Sequence, residues 1–512
     1  MSQTDTFLKY INEGYATKGD SIRLGAAMLG EETITNAFVN LPLKTLNRHG
    51  LIAGATGTGK SKTLQILAEN LSENGIPVLL MDVKGDLSGL AAASPGHAKI
   101  DERHAKIGFD FTAKKFPVEI LTISEQEGTR LRATVSEFGP VLLSRILDLS
   151  ETQSGIVAIL FKYCDDHKLP LLDLKDFKKV LQFATQEGKE ELEAEYGRIS
   201  TASTGAILRK IVEIEQQGGD LFFGERSFDV SDLTRVDDEG KGIISILRLT
   251  DIQDKPKLFS TFMLQLLAEI YGSFPEQGDS GRPELVLFID EAHLIFDEAS
   301  KALLSQIESI VKLIRSKGIG IYFVTQNPKD IPASVLSQLG LKIQHALRAF
   351  TANDRKAIKL TAENYPDSEY YDTAEVLTQL GIGEAFVSCL NEKGIPTPLA
   401  RTMLRAPMSR MDVLTPSELN TVISNSKLSK KYNETVDRES AYEMLNDKIE
   451  QANKLEAEEA AAEKKLKEAK KIEKKTAAPK ARRSTRMNPI VKVLTSATFI
   501  RGFLGVLKKV IK

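Results

Sequence analysis

Two clusters of residues, far apart in the chain, have the types and spacing that phosphate chemistry requires. The first is Gly54, Ala55, Thr56, Gly57, Thr58, Gly59, Lys60, Ser61 and Lys62. Glycines here let backbone N–H groups turn toward an anion without Cβ clashes. A lysine at the start of a helical pattern can reach β- and γ-phosphates, and the serine hydroxyl is a hard oxygen ligand for Mg²⁺. The spacing fits G-x-x-x-x-G-K-[ST], so residues 54–62 are expected to cradle ATP. The second cluster is Asp290–Glu291, delivered by the apolar run "ELVLFID". Asp290 is expected to hold Mg²⁺ together with Ser61, and Glu291 to act as the base that activates water. A third polar group, Gln326, ends the run "GIGIYFVTQ" and is placed to touch the γ-phosphate or the attacking water.

These groups act together only if strands deliver them to one edge. "HGLIAG" before the glycine loop reads as a buried strand, and Leu64, Leu67, Ala68 and Leu71 give the following helix an apolar face. "GIPVLLMD" and "PVEILTI" are continuous apolar runs, as parallel strands buried on both faces require. After helical periodicity over 128–240, strands return at "GIISILRL", "ELVLFID", "IGIYFVTQ" and "GLKIQHALRAF". The alternation predicts an α/β fold with a mostly parallel sheet, helices on both faces and an inserted helical subdomain. The expected organisation is a short N-terminal segment (1–45), the first part of the core (46–127), the helical insertion (128–240) and the second part of the core (241–410). A helical arm (411–475) and a basic amphipathic tail (476–512) follow. "SIRLGAAML" and "AFVNLPLKTL" read as strands leading into the glycine loop. The arm is rich in Ala, Glu and Lys, which favours a solvated helix. The tail has nine Lys or Arg and no acidic residue, with apolar positions three or four apart.

Composition narrows the class. Net charge is −2 with 42% hydrophobic and 27% charged residues, so any basic surface must be local. Cys164 and Cys389 have no metal-type spacing and read as buried small hydrophobes. No apolar signal core and no run of about 18 apolar residues is present, so a cytoplasmic protein with no membrane span is expected. No helix-turn-helix, zinc-finger or aromatic RNA-binding motif appears.

"DEAH" (290–293) invites comparison with a helicase motif, but 230 residues separate Lys60 from Asp290. His293 is therefore read as a helix-start residue with a local hydrogen bond. "GLIAGATGTGKSKTLQ", "DVKGDLSGL" and "VTQNPKDIP" together resemble the HerA/FtsK group of ring ATPases, and within it the bacterial HerA-like YjgR family. The resemblance spans roughly residues 20–410. It implies a RecA-like core, a hexameric ring and ATP hydrolysis that moves DNA through a central pore. It assigns Lys60, Ser61, Asp290, Glu291 and Gln326 directly. It leaves Arg315 in "LIRSKG" and Arg348 in "ALRAF" as candidates for the arginine that neutralises γ-phosphate charge across a subunit boundary. The N-terminal barrel that docks a nuclease in HerA proper has no room in residues 1–45, which argues against a nuclease partner. Asp82, Lys84 and Asp86 follow a strand at the nucleotide edge, either as ligands or as a capped, solvated turn. Besides a DNA translocase, two other readings stand: a motor that moves or remodels protein, and a scaffold using nucleotide as an assembly switch. The Glu291 base argues against the switch.

Overall fold

The computed structural model describes residues 2–476, except 252–253, 279, 297–300, 435 and 437. The basic amphipathic tail therefore lies outside the described residues. The described residues up to Leu445 form one compact unit, and those from Asn446 to Thr476 belong to a second.

Among the described residues twelve strands make one sheet. They are β1 (Ser21–Leu29), β2 (Glu32–Pro42), β3 (Gly50–Ala53), β4 (Val78–Asp82), β5 (Val118–Thr122) and β6 (Thr129–Arg130), then β7 (Ile244–Arg248), β8 (Leu285–Ile289), β9 (Ile319–Thr325), β10 (Leu341–Gln344), β11 (Glu384–Ser388) and β12 (Ala400–Leu404). Their order is β2-β1-β12-β11-β10-β3-β9-β8-β4-β7-β5-β6. From β10 to β6 every pairing is parallel. From β2 to β10 every pairing is antiparallel. The central strands are apolar along their whole length because helices cover both faces: β3, β4, β8 and β9 contain no exposed residue.

The strands of residues 21–42 do not run directly into the glycine loop. They form a hairpin at the antiparallel edge, with β10, β11 and β12 between it and β3. A capped helix, Gln3–Gly14, packs there through Phe7 and Ile11, with Phe7 edge-on to Tyr370 at 4.9 Å.

Between β6 and β7 the chain is helical, with helices Val135–Ile146, Glu151–His167, Leu174–Thr185, Lys189–Tyr196 and Thr201–Gln216. Ser150 and Asp173 start two of them with reciprocal side-chain caps, satisfying amide donors that a bare helix end leaves open. Buried Asp176 also accepts the Tyr442 N–H, tying the insertion to the start of the long helix Ala441–Thr476. Residues 411–440 carry the short helices Pro416–Asn425 and Lys427–Tyr432, so the long helix begins only at 441. Cys164 and Cys389 are free and buried. Among the described residues no helix is long and apolar enough to cross a membrane.

Candidate functional site

In a parallel sheet all C-terminal strand ends share one edge, where α/β proteins bind ligands. The order β3-β9-β8-β4 brings four such ends side by side. They carry the glycine loop, Gln326, Asp290–Glu291 and the turn 83–87.

The loop has the required shape. Gly54, Gly57 and Gly59 have φ of 153°, 78° and 114°, which side-chain-bearing residues rarely adopt. A Cβ on Gly54 would lie 2.5 Å from the His345 Cβ, so contact with the neighbouring strand also demands glycine. Gly59 caps the helix Lys60–Glu73, whose N-terminus faces the loop. Thr56 and Gly57 are exposed, whereas Thr58 and Lys60 are buried. Lys60 Nζ donates to the Gly54 carbonyl at 2.7 Å and the Ala55 carbonyl at 3.2 Å. Burial pulls the Lys60 pKa down. Ser61 is half-buried in the first helical turn. Lys62 turns away, its Nζ donating to the Met411 carbonyl at 2.5 Å, which leaves its backbone N–H as its means of meeting a phosphate.

Asp290 and Glu291 follow β8 and are 3% and 5% exposed, so their charges need partners. Lys84 supplies one, with Nζ 2.7 Å from Glu291 Oε1 and 3.8 Å from Asp290 Oδ2. Burial nevertheless raises the Asp290 pKa to about 6, outweighing the attraction of Lys84. Glu291 takes a positive φ of 47°. Its Oε2 lies 3.3 Å from His293 Nδ1 without hydrogen-bond geometry and is a buried acceptor with no hydrogen bond. His293 opens the short helix His293–Phe296. Asp82 is not aimed at a ligand. Its carboxylate accepts the N–H groups of Gly85, Asp86 and Leu87 and shapes the turn that presents Lys84.

Gln326 is exposed at the end of β9, between the strands of the loop and of the acidic pair. The two arginines part company. Arg348 follows β10 on the loop edge, two residues past Ala346, whose carbonyl accepts the Ala55 N–H. Its guanidinium donates to the Thr378 carbonyl at 3.2 Å. Arg315 precedes β9 and stands at the opposite edge of the sheet, about 23 Å away along that seven-residue strand. It lines a 390 Å³ cleft with Lys44, Arg48 and Lys312.

Sequence patterns missed several supports. His345 Nε2 lies 2.9 Å from Thr63 Oγ1 under the loop, and burial lowers its pKa to about 4, leaving it neutral near pH 7. Arg103 clamps the turn before β11 through the carbonyls of Ile382, Gly383 and Leu404, while Gly383 N–H donates to the Thr58 carbonyl. Buried Glu69, on the loop's helix, accepts the N–H groups of Met408 and Ser409 and so straps residues 406–414 over that helix. None belongs to a motif; each is joined to the site by tertiary contact alone.

The donors suit a hydrated hard cation shared with phosphates. Ser61 and Asp290 offer oxygen ligands, and Glu291 Oε2 is a buried acceptor still open. Among the described residues no group of three or more His, Cys, Asp or Glu could hold a metal without a ligand's help. Ser61 and Asp290 would hold the metal, which would neutralise phosphate charge.

A glycine cradle at a helix N-terminus, with an acidic pair two strands away on a parallel sheet, defines the class of P-loop nucleotide-binding α/β proteins. The chain belongs to the helicase HerA-like C-terminal family, whose model matches residues 28–509. It is 25% identical over 381 residues to the DNA double-strand break repair helicase HerA of Sulfolobus acidocaldarius, covering 71% of this chain and 66% of that one. It is 26% identical over 378 residues to the protein of the same description from Saccharolobus solfataricus, covering 72% and 65%. The chain thus spans just under two thirds of the length of these relatives. The bacterial conjugative coupling protein TrwB superposes with a TM-score of 0.51 at 15% identity, over 80% of this chain and 94% of that one. TrwB bound to a non-hydrolysable ATP analogue gives 0.51 at 16%, over 79% and 95%. At such identity the likeness establishes the fold: a RecA-like P-loop core with a mostly parallel sheet.

Proposed function

We propose that this chain is a Mg²⁺-dependent ATPase that works as a ring-forming motor on DNA. The observation that carries the reading is the convergence of the loop 54–61, Gln326 and Asp290–Glu291 on one sheet edge within a HerA-like chain. Lys60 and the loop amides hold the phosphates, Ser61 and Asp290 the metal, Glu291 takes a proton from the attacking water, and Gln326 orients that water or the γ-phosphate. DNA as the substrate is supported by the relatives described as DNA double-strand break repair helicases.

A ring is supported by the arginines. Arg315 lies at the sheet edge opposite its own loop, so its route to a γ-phosphate runs through a neighbouring subunit. The cleft it lines carries Lys44, Arg48 and Lys312 beside Arg315 against the two carboxylates of Glu276 and Glu392, so its balance is positive. Arg348 lies on the loop edge and fits a role toward its own nucleotide. A hexamer is the expected stoichiometry.

The test is ATP hydrolysis with and without double-stranded DNA, alongside sedimentation. DNA-stimulated turnover by an oligomer supports the reading. Turnover indifferent to DNA and raised by an unfolded polypeptide would favour a motor for protein. A fully active monomer would remove the ring.

A further inference from the structure

Lys60, Lys62 and Lys84, three of the lysines on the nucleotide edge, are used differently. Lys60 Nζ is held by the carbonyls of Gly54 and Ala55, and Lys62 Nζ donates to the Met411 carbonyl. Lys84 alone of the three is paired with the acidic residues, at 2.7 Å from Glu291 Oε1 and 3.8 Å from Asp290 Oδ2. The fold enforces this meeting. β4 pairs in parallel with β8, Met81 opposite Ile289, so the residues that follow the two strands emerge together. Asp82 then fixes the turn by accepting three successive backbone N–H groups. Asp86, in the same turn, adds a further carboxylate whose Oδ1 is buried and without a hydrogen bond.

We propose that Lys84 is a positioning residue for hydrolysis. It supplies the positive charge that the Asp290–Glu291 pair lacks until a metal arrives, and it fixes Glu291 Oε1 in the place from which the base acts. This rests on the reading of the chain as an ATPase. Two adjacent carboxylates, almost fully buried, repel an incoming polyphosphate strongly because little water screens them. Lys84 offsets part of that repulsion. A metal on Asp290 does the same job, so with metal present the lysine matters little for binding and matters for holding Glu291.

The two roles separate in one experiment on the full chain. Affinity for a fluorescent ATP analogue is measured in EDTA and in Mg²⁺ for wild type, Lys84→Met, Lys84→Arg, and Lys84→Met combined with Glu291→Gln. Turnover and thermal melting are recorded in parallel. Lys84→Met should weaken metal-free binding about tenfold. It should change Mg²⁺-loaded binding by less than about threefold. Removing the Glu291 charge in the same chain should restore most of the metal-free affinity. Lys84→Met should also lower kcat with little change in KM, and Lys84→Arg should recover part of it. Equal losses with and without Mg²⁺, or metal-free affinity that neither falls in Lys84→Met nor returns in the double variant, would overturn the proposal while the ATPase reading stands. If wild type binds nucleotide in neither condition, the ATPase reading falls and this proposal with it.

Discussion

Lys60 is almost fully buried with its ammonium on two carbonyl oxygens of its own loop, so its hydrogen bonds are already made where phosphate would bind. Lys60→Ala removes that charge and should lower nucleotide affinity or turnover about a hundredfold or more, checked by equilibrium binding and steady-state hydrolysis. Glu291→Gln leaves the Asp290 ligand in place, so it should still bind ATP while turnover falls about a hundredfold. Undiminished turnover in Glu291→Gln would remove Glu291 from the role of base. His49 is held at both ring nitrogens: Nδ1 accepts the Ile321 N–H while Nε2 meets the Val311 carbonyl at 2.8 Å. Burial pushes its pKa down to about 4 from an ordinary 6.5. A depressed folded-state value means the neutral ring stabilises the fold above pH 6.5. That stability is lost as pH falls from 6.5 through 4, by up to about 3 kcal/mol. Denaturant unfolding from pH 7 to 4 should show the loss, and His49→Gln should flatten part of the slope.

The helix Lys60–Glu73 is held by more than its apolar face. Glu69, fully buried, accepts the N–H groups of Met408 and Ser409 at 2.8 Å each and the Ser409 hydroxyl, and Gln65 bonds Ser409 and the Arg410 carbonyl. Glu69→Ala strands two buried amides and should destabilise the protein by about 3 kcal/mol in denaturant melts. Nucleotide affinity should fall as well, because the same strap holds Lys62. This strap shows where reading the sequence stops. The strands that carry the site were legible, because "GIPVLLMD", "ELVLFID" and "IGIYFVTQ" are apolar throughout, as burial on both faces demands. The loop was legible because its chemistry needs a local spacing. Sheet order was not, since it depends on which strands pair across hundreds of residues, and so the partnership of Lys84 with Glu291 stayed open. The hairpin β1–β2 read as strands, but its place beyond β12 is set by pairing with a strand 375 to 379 residues later, Ala27 with Thr402 and Gly25 with Leu404. Arg315 and Gln326 are eleven positions apart in the sequence, yet a seven-residue strand carries them to opposite edges.

At the scale of the whole molecule, one protomer presents the nucleotide cradle on one sheet edge and the cleft of Lys44, Arg48, Lys312 and Arg315 on the other. That polarity supports the proposed ring, in which head-to-tail association would let each subunit complete its neighbour's site. Mixing Lys60→Ala subunits with Arg315→Ala subunits should restore part of the turnover that each variant lacks, since one class of mixed interface keeps both halves intact. If Arg315→Ala alone retains full activity, the arginine across the boundary is another residue. The central claim, that the convergent edge is an ATPase engine coupled to DNA, is tested most directly by steady-state ATP hydrolysis in Mg²⁺, with and without double-stranded DNA, for wild type and Glu291→Gln side by side. The proposed motor should show wild-type turnover that rises with DNA and falls about a hundredfold in Glu291→Gln under both conditions. Hydrolysis that is equal in the two proteins, or that is insensitive to DNA, would contradict it.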